Sequence, residues 1–343
     1  MKSQICWDYW VDFAKFFACF LVAIGHLIQG LVHAGLISKT NQAYLIFDGM
    51  VYLFHVPVFF FCSGYLYQKT ALVNNLKSYR NNISKKFINL GVLYFTFSGI
   101  TILLKIIFSD SVNTKFEDDI FTTLIFHPIA PYWFLYALFF LFLVCPTIQS
   151  IKSACFLLAI SILLKILEIF EICLPYPVSY IQGNLIWFGS GIIFIRFNLA
   201  RFMGWKIVLV STLFIPVSLL VILQDSLNNA IRPLLTFCGI LMSISFFFVA
   251  SRQSWFPLEI MKNLSKWTIH IYVLHKIASA TFRTILIKTD IHFFTVHIIV
   301  GIIASIAVPI AVGYFCQKFA LLNFFFEPMK TIKSLKRLSG DKN

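Results

Sequence analysis

Apolar runs about as long as a bilayer crossing follow one another from Trp10 to Phe315, and the polar residues between them are confined to short breaks. A helix needs ~20 such residues to cross a membrane, so this pattern restricts the chain to a polytopic membrane protein. Composition agrees: 59% of residues are hydrophobic and 12% charged, with a mean hydropathy of +0.84, whereas soluble domains carry about a quarter charged residues. The 343 residues leave room for roughly ten helices joined by short loops. No stretch is long and polar enough for a soluble domain. The expected fold is all-α, a bundle of about ten transmembrane helices with both termini cytoplasmic.

The expected spans are 10–35, 43–67, 87–108, 132–149, 153–173, 183–195, a seventh before the polar segment 224–232, then 233–250, 267–287 and 293–315. Lys69, Lys77, Arg80, Lys85 and Lys86 mark one loop as cytoplasmic by the positive-inside bias, and Arg196, Arg201, Lys206, Arg252, Lys262 and Lys266 mark others. Asp110, Glu117, Asp118 and Asp119 belong outside. Residues 1–329 form the expected membrane domain, and 330–343 a basic cytoplasmic tail with Lys330, Lys333, Lys336, Arg337 and Lys342. The first apolar run is too long for a cleaved leader and shows no small-residue cleavage site.

The formal charge of +14 is scattered through short breaks rather than gathered with stacking aromatics, so nucleic acid is not the expected partner. Anionic lipid headgroups and an anionic cosubstrate suit it better. The eight cysteines make no C-x-x-C pair, so neither a disulfide framework nor a zinc site is indicated.

The first span carries the chemistry. Asp12, Lys15 and His26 occur in DFAKFFACFLVAIGH, and ionisable groups within a membrane segment point to function because they are costly there. Lys15 and His26 lie about three turns apart, roughly 16 Å along one face, while Asp12 is one turn from Lys15 and can pair with it. The face suits a long molecule with an anionic head at Lys15 and a reactive end at His26. The second span places His55, Pro57 and Ser63 in FHVPVFFFCSGYLY, and the ninth places His270, Tyr272, His275 and Lys276 in TIHIYVLHK. His26, His55 and His275 can meet, but no H-x-x-x-H pair or nearby carboxylate supports a metal. In the fifth span Lys165, Glu168 and Glu171 read as a self-neutralising set or, alternatively, a proton path. The turn PYWFLY, including Trp133, fits an interfacial aromatic belt.

With these motifs in order, the chain resembles the integral-membrane acyltransferase family 3, bacterial enzymes with some animal relatives that O-acylate surface glycans and other acceptors. The resemblance rests on the acid, base and histidine of the first helix, the F-H-x-P-x-F-F-F-x-S-G-Y of the second, the basic segment after it, the W-F-L turn from Trp133 and the I-Y-x-L-H ending at His275. It implies that His26 is the essential histidine and Lys15 its cationic partner, at a position where the family more often has arginine. Lysine lacks the planar fork with which arginine binds phosphate or carboxylate.

The resemblance further implies acyl transfer, with acetyl-CoA as cosubstrate and a glycan or lipid-linked saccharide as acceptor, in a bacterial plasma (inner) membrane. Lys15, helped by Arg80, Lys85 or Lys86, would hold the CoA head, and His26 would act as general base, with an acyl-histidine relay as a variant. Asp12 would fix Lys15. His55, Ser63, Trp133, Tyr272 and His275 are candidate substrate-site residues, and no metal is expected. A transporter or flippase using the buried His, Lys and Glu residues for proton coupling is the rival class. Only the second span is read as carrying an interior proline, which counts against broken helices in two matching halves. A catalytically dead sensor or scaffold of the same fold is the third reading.

Overall fold

The computed structural model describes residues 8–71, 73, 75–110, 113 and 115–338. Its helices are α1 (Tyr9–His33), α2 (Gln42–Thr70), α3 (Leu76–Ile107), α4 (Ile120–Ile125), α5 (Trp133–Val144), α6 (Ile151–Ile169), α7 (Val178–Arg196), α8 (Trp205–Ser211) and α9 (Phe214–Leu223). They continue with α10 (Ile231–Ala250), α11 (Leu258–Ser265), α12 (Thr268–Lys288), α13 (Phe294–Cys316), α14 (Ala320–Phe324) and α15 (Pro328–Leu338). No strand occurs among the described residues. The chain is a polytopic helical bundle.

Among the described residues, seven segments are long and apolar enough to cross a membrane: α1, α2, α3, α7, the α8–α9 pair, α10 and α13. The other three expected spans are helical but less regular. The α5 helix has 12 residues, α6 carries Lys165 and Glu168, and α12 carries His270, His275, Lys276 and Arg283.

Local chemistry explains where the boundaries moved. The α3 helix begins at Leu76, eleven residues before the expected Phe87, because Asn75 and Ser78 close a reciprocal capping box. Lys77, Arg80, Lys85 and Lys86 therefore stand on its first turns and not in a loop. Ser150 and Ser153 cap α6 in the same way. The seventh span is broken between Ser211 and Phe214; Pro216 has no N–H to give and its ring crowds the carbonyl four residues back. Pro309 lies inside α13 as Pro57 does inside α2. Interior prolines thus occur in three spans, so their rarity is no longer an argument against a transporter.

The centre of the bundle is built on α2. It packs most extensively on α7, with α1 and α10 on its other sides, and α12 joins it through α1. Gly64 and Gly191 allow the α2–α7 approach, since a Cβ at either would overlap a backbone carbonyl, Phe188 O or Phe61 O. At the basic end, Asp8 binds Lys69 Nζ and Tyr65 Oη, each at 2.5 Å, and so ties the start of α1 to the end of α2. The chain after α13 turns back onto the bundle. Phe326 stacks on His270 at 4.5 Å and packs on Phe97 at 5.0 Å, and the Met329 N–H donates to Asn89 Oδ1 at 3.1 Å. Lys330, Lys333, Lys336 and Arg337 lie on α15, while Lys342 is outside the described residues.

Candidate active site

His26 projects from α1 beside His275 of α12, the two rings nearly parallel at 5.4 Å between centroids. Helix backbone fixes the tautomer of His275. Its Nδ1 faces the carbonyls of Tyr272 at 2.8 Å and Ile271 at 3.0 Å, and a carbonyl only accepts, so Nδ1 carries the proton. Nε2 is then a bare lone pair, buried without a hydrogen-bond partner. His55 of α2 follows the same rule: its Nδ1 donates to Val51 O at 2.6 Å, and its ring meets Tyr52 edge-on at 4.7 Å. Three imidazoles thus gather at mid-depth from α1, α2 and α12. Among the described residues no group of three His, Cys, Asp or Glu side chains can hold a metal ion.

His26 shares the cavity wall with Gln29, one turn further along its own helix. The Gln29 Nε2 donates to Asp48 Oδ1 of α2 at 2.9 Å. The carboxylate holds the amide, and the amide oxygen is left to accept from the imidazole. Neither Gln29 nor Asp48 was singled out from the sequence, although Gln29 stands three residues after His26 on the face already under consideration.

A cavity of about 450 Å³ opens in front of His26, within the ~300–1,000 Å³ range of small-ligand sites. Its wall includes Gln29, Tyr52, His55, Pro57, Trp133 and Tyr272 together with Lys165, Glu168, Asn184, Trp187, Asn229 and Arg232. The Tyr52 hydroxyl is buried and unpartnered. Of the expected residues, His26, His55, Trp133 and Tyr272 line this cavity, and His275 backs His26.

The remaining expected residues lie elsewhere. Lys15 pairs with Asp12 at 3.8 Å, roughly 16 Å below His26 toward the basic end. Lys86 is its electrostatic neighbour and stands 4.2 Å over the Phe142 ring. Arg80 and Lys85 are exposed on α3, so of the three helpers expected for Lys15 only Lys86 is placed beside it. Ser63 is two turns from His55 and outside the cavity wall. Lys165 and Glu168, read as self-neutralising, do pair, at 2.6 Å, but they face the cavity. Asn184, Asn229 and Arg232 gave no signal along the chain, because two separate elements, α7 and the start of α10, bring them together.

The cavity rim is backbone held by side chains. The end of α4 and the segment between α4 and α5 leave carbonyls without intrahelical partners, and non-helical backbone at membrane depth is tolerated where protein satisfies it. Lys276 donates to Ala130 O at 3.0 Å, Tyr272 to Pro131 O, Tyr136 to Ile125 O at 2.7 Å and Tyr94 to Leu124 O at 2.8 Å. In return the Tyr132 hydroxyl donates to Val273 O at 3.0 Å.

Comparison with known proteins places this geometry. Nodulation protein NolL of Mesorhizobium japonicum (strain LMG 29417 / CECT 9101 / MAFF 303099) is 26% identical over 217 residues, covering 57% of this chain and 55% of the relative. The chain therefore aligns with little more than half of that protein's length. No solved structure matches. Residues 8–314, nearly all of the bundle and every residue of the cavity wall, match the family described as acyltransferase domain. The family model spans most of the chain, which therefore belongs to the acyltransferase-3 family.

Proposed function

We propose that the protein moves an acyl group, acetyl in the simplest case, from acyl-CoA bound at the basic end to a hydroxyl of a surface glycan or its lipid-linked precursor, in a bacterial inner membrane. The observation that carries this reading is the position of His26 at the wall of a cavity sized for a small ligand, one turn from the Gln29 amide that Asp48 holds. Lys15, with Lys86 beside it, supplies cationic charge for the CoA head, and the pantetheine arm spans the roughly 16 Å of α1 between Lys15 and His26. His26 takes the proton of the acceptor hydroxyl as that oxygen attacks the thioester carbonyl. The C–O bond forms, the C–S bond breaks, CoA leaves as thiolate, and the imidazolium returns its proton to the thiolate or to water. The Nε2 lone pair of His275 lies beside the ring that becomes charged, where it steadies the imidazolium.

The test is transfer of a radioactive acetyl group from acetyl-CoA into the glycan and lipid fractions of membranes that contain this protein or its His26→Ala form. Label that depends on His26 supports the reading, and the labelled fraction names the acceptor class. No label with folded, inserted wild type overturns acetyl transfer.

A further inference from the structure

Part of the cavity wall is polar in a way that proton removal does not use. Lys165 on α6 is nearly buried, its side chain 10% exposed, and donates to Glu168 Oε2 at 2.6 Å and to Gly183 O of α7 at 2.7 Å. Its Nζ also lies 5.5 Å over the Trp187 ring. An ammonium has three N–H groups, and two are taken. Glu168, with a side chain 43% exposed, accepts through Oε2 and keeps Oε1. Asn184 commits its Nδ2 to Tyr180 O at 3.0 Å, which leaves its Oδ1. All three side chains and Trp187 are in the cavity wall.

A free N–H next to a free carboxylate oxygen is a specific demand on a ligand. A hydroxyl both donates and accepts, so two adjacent hydroxyls on a ring satisfy the pair together, one accepting from Lys165 and the other donating to Glu168. Hydrogen bonds to ionised partners are the stronger class. A pair whose only task was to neutralise itself in lipid has no reason to face a cavity. Trp187 beside the pair, and Trp133 stacked on Tyr180 at 5.8 Å in the same wall, supply flat apolar faces for the C–H side of a sugar ring.

We propose that Lys165, Glu168 and Asn184 form an acceptor subsite that holds the vicinal diol of a saccharide ring against Trp187, so that a further hydroxyl of the same molecule is presented to His26. This rests on the acyl-transfer reading above and names which part of the cavity selects the acceptor.

The experiment uses full-length protein in lipid vesicles with radioactive acetyl-CoA, titrated with a glycan extract from cells that lack the protein. Glu168→Gln and Asn184→Ala are compared with wild type. Losing one hydrogen bond to a charged group corresponds to about a tenfold or larger change in an equilibrium. The expected result is a rise of about tenfold or more in the apparent KM for the extract in Glu168→Gln, a smaller rise in Asn184→Ala, and an unchanged KM for acetyl-CoA and unchanged melting temperature in both. An unchanged acceptor KM in both variants overturns the subsite. A lowered melting temperature with a disturbed acetyl-CoA KM in Glu168→Gln, and a normal Asn184→Ala, overturns it in favour of a structural tie between α6 and α7. Wild type that moves no label into any fraction overturns the acyl-transfer reading itself, and the subsite falls with it.

Discussion

The rings of His26 and His275 lie nearly parallel at 5.4 Å, one from each of two helices in direct contact. The carbonyls of Ile271 and Tyr272 hold the His275 proton on Nδ1, so its Nε2 carries a lone pair and no N–H. Replacing it with Phe keeps a ring of similar shape and removes the lone pair. His275→Phe is expected to insert normally and to lower acetyl transfer by about tenfold, since a group that steadies a general base contributes less than the ~10²–10⁴ of the base itself. Wild-type turnover in that variant would reduce His275 to packing.

Removing His26 is the larger change. His26→Ala is expected to lower the transfer rate by about 10² or more with the acetyl-CoA KM little altered. Lys15→Met is expected to do the reverse, raising the donor KM while kcat is largely retained. Steady-state label transfer over a range of acetyl-CoA concentrations separates the two.

The Asp48–Gln29 contact at 2.9 Å holds an amide one turn from His26, placed to support it in the proposed reaction. Asp48→Asn, which offers the amide a neutral partner, and Gln29→Leu, which removes the amide, are both expected to lower kcat, with Gln29→Leu the more severe. Equal and full activity in both would show that His26 needs no such support.

Gly191 tests the packing of the bundle independently of chemistry. Its α-carbon faces Phe61 O so closely that a methyl group overlaps the carbonyl, and overpacking of this kind costs roughly 1–3 kcal/mol. Gly191→Ala is expected to lower the melting temperature in detergent. The same change at Gly99, where nothing lies within 4 Å of an added Cβ, is expected to leave it unchanged.

Much of the fold could be read from the sequence because hydrophobicity along the chain is a local property. Each expected span has a helix, or in one case a broken pair, at its position. Boundaries failed where a polar cap overrode polarity, as at Asn75, or where Pro216 broke an otherwise continuous apolar run. In the site, His26, His55, Trp133 and Tyr272 were recognisable as polar or aromatic exceptions within spans and by their resemblance to a family. Lys165 and Glu168 were visible too, but a pair at i, i+3 looks the same whether it faces lipid, a neighbour or a cavity. Asn184, Asn229 and Arg232 sit at the ends of elements that tertiary packing alone brings together. Arg80 and Lys85 are exposed on α3, because a cluster of charge in sequence spreads around the helix once α3 extends through it.

The shortness of α5 sets a distance. Twelve residues of helix rise about 18 Å, against a hydrocarbon layer of ~30 Å, and the rest of that column is occupied by tyrosine-pinned backbone and the cavity beside it. Helix α5 alone is therefore shorter than the layer it would have to span. On the acyl transfer proposed above, a thioester from one side and a sugar from the other would each have only to reach part of the way in.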